Sequence, residues 1–370
     1  MNKSILITID FPPQIGGVAN YLANFSKNLP PDKIIALANQ NDDAHHFDGH
    51  QNYKIIREQL FYKRLWPKWL KTFSLAKKII KREDIKQIII SHILPMGYIA
   101  LMIKLPFIVI LHGYDIMNAQ KSSWKKYWAT QILNQAKHII VNSHNTQNQV
   151  LKFGINQNKI TIVYPCPNIK PEQLNEHEKQ IIKNELDLHH KKILLSVGRL
   201  TPRKGFDRVM EALPEVLKKI PNLVYIIVGN GSDKDRLEKL AEDLKVRGNL
   251  IIAEDIPNSN LSSFYDLANI FIMPARQIGE DIEGFGIVYL EANLFGKPVI
   301  AGKSGGVEDA VIDNQTGILV NPESVQEINQ AILKLFINPE LVNKLGVQGK
   351  ERVLREFQWP IQIEKIKNML

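Results

Sequence analysis

The stretch ILLSVGRLTPRKGFDRVMEALPEVLKK, residues 193–219, holds one complete structural unit. It opens on a short apolar run, 193–198, of the kind that forms a strand buried on both faces. A loop follows, with Arg199 and Lys204 on either side of Pro202 and with Gly205 at its end. The remainder carries apolar residues at helical spacing, and Asp207 stands where a helix cap is expected. Strand, basic loop and amphipathic helix together form the repeating block of a doubly wound parallel sheet. Such sheets take their ligands beyond the carboxyl ends of the strands.

The same alternation runs through the whole chain. Apolar runs at 5–9, 34–38, 88–91, 107–111, 138–142 and 160–164 occupy the first half, with helix-like segments between most of them. Runs at 193–198, 223–229, 250–253, 270–273 and 298–301 occupy the second. The pattern predicts two Rossmann-like α/β sheets, and 370 residues exceed what one core usually holds. The polar segment 167–190 reads as their connection. With 44% apolar and 23% charged residues the composition is that of a globular protein. The single cysteine, Cys166, excludes an intrachain disulfide and gives no metal-ligand spacing. The opening MNKSILITID offers five apolar residues before Asp10, too few for a signal-peptide core, and no run of eighteen apolar residues occurs. A cytoplasmic location is expected. Residues 1–170 carry 22 Lys and Arg against 9 Asp and Glu, so the net +9 of the chain is concentrated in the first half. One charged face, rather than general nucleic-acid affinity, follows from that split.

Three motifs lie at strand ends. Gly16 and Gly17 precede a helical pattern, so backbone amides there are open to an anion, although a bare strand-to-helix turn would look the same. Arg199 and Lys204 suit a diphosphate clamp, or are solvated loop charges. In EGFGIVYLEA, 283–292, Gly284 and Gly286 form a turn before a helix starting near Ile287. The helix start favours phosphate, while Glu283 and Glu291 can each accept hydrogen bonds from vicinal hydroxyls. A nucleoside diphosphate sugar has that layout: ribose diol, anionic linker, hexose.

The residues GGV, VGRLTPRKGFD, VGNGSDKDRLEKLA, EGFGIVYLEANLFGKPVIAGKSGGVEDAV and NQTGILV, in order and spacing, resemble the retaining GT-B glycosyltransferases of family four. The resemblance spans nearly the whole chain and implies two Rossmann-like domains facing a cleft. These would be an acceptor domain, 1–168, with a C-terminal helix 355–370 packing back on it, and a donor domain, 169–354. It implies that Arg199 and Lys204 bind the donor diphosphate, that Glu291 holds the ribose and that Glu283 holds the transferred sugar. Phe285, Gly286 and Ile287 would touch sugar or phosphate, with Gly17 beside Gly16 near the diphosphate. Gly229, Gly231, Asp255 and Ile256 would border the nucleoside, and Gly198 would also be donor-binding. His112, in HGYDI, would contact the donor sugar; Asp115 either orients it, meets the acceptor or forms the turn. The hinge VYPCPNI departs from the family by inserting Cys166 and Pro167 before Asn168.

No carboxylate nucleophile is matched in the first domain, so catalysis is expected to rest on positioning and on the departing diphosphate's contacts, without a metal. Asp233 and Asp235 read as helix-opening acids rather than metal ligands. PARQIGEDIEGFGIVYLEA looks like the GDP-mannose-dependent branch that includes the phosphatidylinositol mannosyltransferases, and Asp255 could accept from guanine. Segment 61–82 has eight basic residues and no acid. Read as a helix, it puts Trp69, Phe73, Ala76 and Ile80 on one side and Lys68, Lys71, Lys78 and Arg82 on the other. Lys63 and Arg64 precede them, a basic face for an anionic membrane surface and a lipid-linked or glycan acceptor. Rival readings are a sugar-nucleotide epimerase, a basic nucleic-acid-binding protein and a silent sugar-nucleotide sensor.

Overall fold

The computed structural model describes residues 1–370 except 15, 170, 172–174 and 280, and except the side chains of 258 and 259. The chain divides into two compact units, Met1–Pro165 with Trp359–Leu370, and Cys166–Gln358. The polypeptide passes from one to the other at the buried Cys166 and returns after Gln358. Part of the expected connection, 167–190, lies outside the described residues. Its described part contains the helix Glu176–Glu185, started by Asn175, whose side chain accepts from the amides of His177 and Glu178.

In the first unit, strands β1 (Ser4–Ile7), β2 (Ile34–Asn39), β3 (Lys54–Glu58), β4 (Gln87–Ser91), β5 (Phe107–Leu111), β6 (His138–Val141) and β7 (Ile160–Ile162) form one sheet. Its order is β3-β2-β1-β4-β5-β6-β7 and every pair is parallel. Ile5, Ile88, Ile90, Val109 and Leu111 contribute to a single buried cluster, which is why these strands read as unbroken apolar runs rather than alternating ones. In the C-terminal segment, Gln362 accepts from the Tyr164 amide at 2.8 Å and Trp359 packs edge-on to Tyr21.

The second unit repeats the plan. Strands β8 (Lys192–Val197), β9 (Leu223–Val228), β10 (Leu250–Ala253), β11 (Ile270–Met273), β12 (Val299–Gly302) and β13 (Gly317–Val320) are ordered β10-β9-β8-β11-β12-β13, again all parallel. The strand order reverses between β1 and β4 in one sheet and between β8 and β11 in the other. The loops that leave those strands therefore diverge and open a crevice at each sheet's carboxyl edge.

Two strands escape the sequence reading, β3 and β13, and both lie at sheet edges. Lys54–Glu58 is only half-buried and bracketed by charge, and Gly317–Val320 is four residues long. Asp207 does not cap its helix. Gly205, in the left-handed conformation (φ 76°), begins Phe206–Lys219, and Asp207 lies inside the first turn. There its buried carboxylate takes Arg276 at 2.8 Å and Arg236 at 3.3 Å, tying the helices that follow β8 and β9 to the loop after β11.

Candidate active site

The second unit's crevice is built from the loops after β8 and β11. Lys204 Nζ and Arg203 Nη1 each donate to the same oxygen, Glu283 Oε2, at 2.7 Å. Arg203 Nε lies 3.0 Å from Asp281 Oδ1. Burial alone would push the Glu283 carboxyl up, but Lys204 and Arg203 hold it down at about 2. Burial depresses the Lys204 ammonium, and Glu283 works against that depression. Arg199 lies on the same loop, exposed, close enough for its charge to act on Lys204. The sequence reading passed over Arg203, although it stands next to Lys204 in a loop already singled out.

Behind Glu283 the chain turns through Gly286 (φ 88°), where an added Cβ would sit 2.3 Å from the Tyr289 ring. Glycine is required there to start the helix Ile287–Leu294 against Tyr289, whose hydroxyl donates to Met273 O at 2.7 Å. The buried Phe285 packs on Phe357, and Ile287 is half-buried at the helix start. Glu291, one turn into this helix, is buried and accepts from the Tyr265 hydroxyl at 2.7 Å. Burial pushes its carboxyl up to about 7.

On the β9 side a Cβ at Gly229 would lie 2.1 Å from Gly198 O, so the loops after β8 and β9 touch backbone to backbone. Gly231 packs as closely on Leu200 O. Asp255 is exposed and held by Asn230, whose amide group donates to Oδ1 at 2.6 Å and accepts from the Asp255 N–H at 3.0 Å. Ile256 beside it is half-buried. Asp233 has both carboxylate oxygens on Arg236, each at 2.6 Å.

The other residues singled out from the sequence belong to the first unit. Gly16 and Gly17 start the helix Gly17–Lys27, which has no side-chain cap and no acid in its first turn, and an added Cβ at either glycine would meet nothing within 4 Å. Among the described residues no side chain caps its leading amides. His112 follows β5, with Nε2 3.2 Å from Ser91 Oγ. Burial, with the nearby His92 charge, holds the His112 ring down at about 3. Asp115 Oδ1 accepts from the amides of His112 at 3.1 Å and Ile116 at 3.0 Å, so this carboxylate shapes the turn, while Oδ2 is buried with no partner among the described residues. Two neighbours carry no signal in the motif reading. Asp10 follows β1, and His92, which follows β4, has its Nε2 3.0 Å from Asp10 Oδ2. Both stand at the reversal point of this sheet, which is the rule that could have found them.

Segment 61–82 is not one helix. The helix is Leu70–Glu83, and 61–69 precede it as irregular chain, because Pro67 lacks an amide donor and disfavours helical geometry at the residue before it. Thr72, Ala76 and Ile79 are the buried positions, with Trp69, Phe73 and Ile80 packed partly against the core. Lys63, Arg64, Lys68, Lys78 and Arg82 are exposed, and Lys71 is half-buried beside Gln59. Trp69 stacks on Tyr98, and Tyr98 also meets Trp124 and Trp128. Among the described residues no helix is long and apolar enough to cross a membrane.

Residues 15–169 match the family described as Glycosyltransferase Family 4, and 178–352 match Glycosyl transferases group 1. A GDP-mannose-dependent monoacylated alpha-(1-6)-phosphatidylinositol monomannoside mannosyltransferase of Corynebacterium glutamicum is 29% identical over 395 residues, covering 100% of this chain and 97% of the relative. The GDP-mannose-dependent alpha-(1-6)-phosphatidylinositol monomannoside mannosyltransferase of Mycolicibacterium smegmatis is 26% identical, covering 99% and 97%. In fold the chain is similar to the crystal structure of Anabaena HepE in complex with UDP, at TM-score 0.83 and 17% identity with both chains fully covered. Two parallel Rossmann-like units, basic and glutamate-bearing loops at the second unit's reversal point, and these matches along both halves agree. The chain belongs to the group 1, family 4 glycosyltransferases and is an enzyme of GT-B fold.

Proposed function

We propose that this enzyme transfers mannose from GDP-mannose, with retention of configuration, to a lipid-linked or glycan acceptor. The observation that carries the reading is the buried Arg203–Lys204–Glu283 cluster beside the exposed Arg199. Two fixed cations share one carboxylate oxygen, Oε2. Glu283 Oε1 is then left to accept hydrogen bonds from a sugar, while Lys204, Arg199 and the amides at Gly286 and Ile287 face developing charge on a departing diphosphate. Such cations act where other transferases use a divalent metal, so turnover in excess EDTA should match turnover without it. Glu291, held by Tyr265, is positioned to take the ribose diol, and the Asp255–Asn230 pair the base edge. Within the first unit, the helix start at Gly17 offers its own amides to an anion. Donor and acceptor chemistry follow the mannosyltransferase relatives, whose names specify GDP-mannose and phosphatidylinositol monomannoside. The exposed bases Lys63, Arg64, Lys68, Lys78 and Arg82 suit an anionic lipid surface.

The test is a panel of GDP- and UDP-sugars read by thermal shift, followed by transfer of labelled sugar to phosphatidylinositol monomannoside. GDP-mannose should raise Tm by more than UDP-glucose at equal concentration, since stabilisation grows with the excess of ligand over its Kd. Equal shifts would remove the guanine assignment, and sugar interconversion without transfer would favour an epimerase.

A further inference from the structure

Four side chains at the first unit's reversal point form a continuous hydrogen-bonded chain. Asp10 Oδ2 lies 3.0 Å from His92 Nε2, His92 Nδ1 lies 3.4 Å from Ser91 Oγ, and Ser91 Oγ lies 3.2 Å from His112 Nε2. Local structure builds each link. The Thr8 hydroxyl donates to Asp10 O at 3.0 Å and accepts from its amide at 3.1 Å, fixing the turn that carries Asp10 off β1. Ser91 is fully buried at the end of β4. His92 adopts the left-handed conformation, φ 73°, which is uncommon outside glycine and concentrates at functional sites. The other nitrogen of His112, Nδ1, has no hydrogen-bond partner among the described residues.

We propose that Asp10, His92 and Ser91 are positioning residues that set the tautomer of His112, so that its Nδ1 carries the proton and is offered to the bound sugar as a donor. A carboxylate can only accept, so His92 Nε2 must donate to Asp10. When His92 also carries a proton on Nδ1, that N–H donates to Ser91 Oγ. The Ser91 hydroxyl proton then has one acceptor left, His112 Nε2, and the His112 proton must sit on Nδ1. Loss of the His92 Nδ1 proton reverses the chain: Ser91 donates back to His92, and His112 Nε2 becomes the donor. Groups facing His92 are Asp10 from the turn after β1, His112 and Asp115 from the loop after β5, and Ser91 beside it. Burial pulls His92 down, but the Asp10 hydrogen bond and the charges of Asp115 and Asp10 outweigh it and leave the ring above its ordinary value. The sign is therefore fixed: the Nδ1–H form of His112 holds below the His92 transition and is lost as pH rises through it.

This inference rests on the mannosyltransferase reading and on the His112 contact with the donor sugar that the family resemblance implies, and its test has two independent arms. In the first, full-length protein labelled with 15N-histidine is titrated by NMR and the protonated nitrogen of His112 is read directly. The expected result is Nδ1–H below the His92 transition, with conversion to Nε2–H following that transition; Ser91→Ala uncouples the two rings, and Asp10→Asn moves the conversion to lower pH. An Nε2–H tautomer throughout, or a Ser91→Ala protein whose His112 still switches with His92, overturns the proposal. In the second arm, Ser91→Ala should weaken GDP-mannose about tenfold while leaving GDP unchanged, the cost of one sugar-specific hydrogen bond. Equal affinity for GDP-mannose in both proteins overturns the role toward sugar. If wild-type protein binds neither nucleotide, the mannosyltransferase reading fails, and the tautomer measurement still decides the relay.

Discussion

Glu283 shows how one residue couples stability to chemistry. Its Oε2 neutralises two largely buried cations, and removing a single partner from such a set leaves uncompensated charge, which typically costs 3–5 kcal/mol. Glu283→Gln should therefore lower unfolding stability by about that amount in urea titration, and an unchanged midpoint would show the cluster to be slack. Glu291 predicts the opposite behaviour. Burial pushes its carboxyl up to about 7 from the 4.5 of a solvated glutamate, so its contribution is fully present below about 4.5 and is lost as pH rises to about 7. Glu291→Gln should raise Tm in ligand-free protein at pH 8, by the equivalent of about 1–3 kcal/mol, with little effect at pH 4. The same variant should bind GDP more weakly, because an amide offers the ribose diol one acceptor oxygen in place of two.

At the scale of elements, the turn through Gly286 decides whether the Ile287–Leu294 helix can start where it does. Alanine there would need a left-handed conformation and would press its Cβ to 2.3 Å from the Tyr289 ring. Gly286→Ala should cost about 1–3 kcal/mol and displace the helix amides, and a variant with native GDP affinity would contradict that role. Much of this was legible beforehand. Central strands announced themselves as apolar runs because both faces are covered, and the strand, basic loop and helix of 193–219 were readable as elements. Edge strands β3 and β13 were not, since half-exposed or very short segments lack that signature. The break at Pro67 was visible as a proline, yet eight basic residues without an acid suggested one continuous helix. Asp207 resembled a cap, but its ion pairs with Arg236 and Arg276 depend on residues 29 and 69 positions away. For the same reason Arg203 and the Asp10–His92 pair could not be read from spacing: their partners, 80 and 82 positions distant, meet them only through the sheet order.

The whole molecule repeats one device. Each sheet reverses its strand order once, and at each reversal the diverging loops bring together side chains from distant parts of the sequence: Lys204 with Glu283 between β8 and β11, Asp10 with His92 between β1 and β4. The central claim is that the basic loop after β8 holds a diphosphate so that it can leave a sugar. Arg199 tests it most cleanly, being exposed and outside the Glu283 ion pairs, so the decisive measurement compares kcat/KM for GDP-mannose in wild type, Arg199→Ala, and Arg199→Ala combined with Lys204→Ala. The account predicts a fall of roughly a hundredfold or more for the pair, on the order of what removal of fixed charge-stabilising donors costs, with folded protein retained in the single variant. Wild-type turnover in the double variant would contradict it.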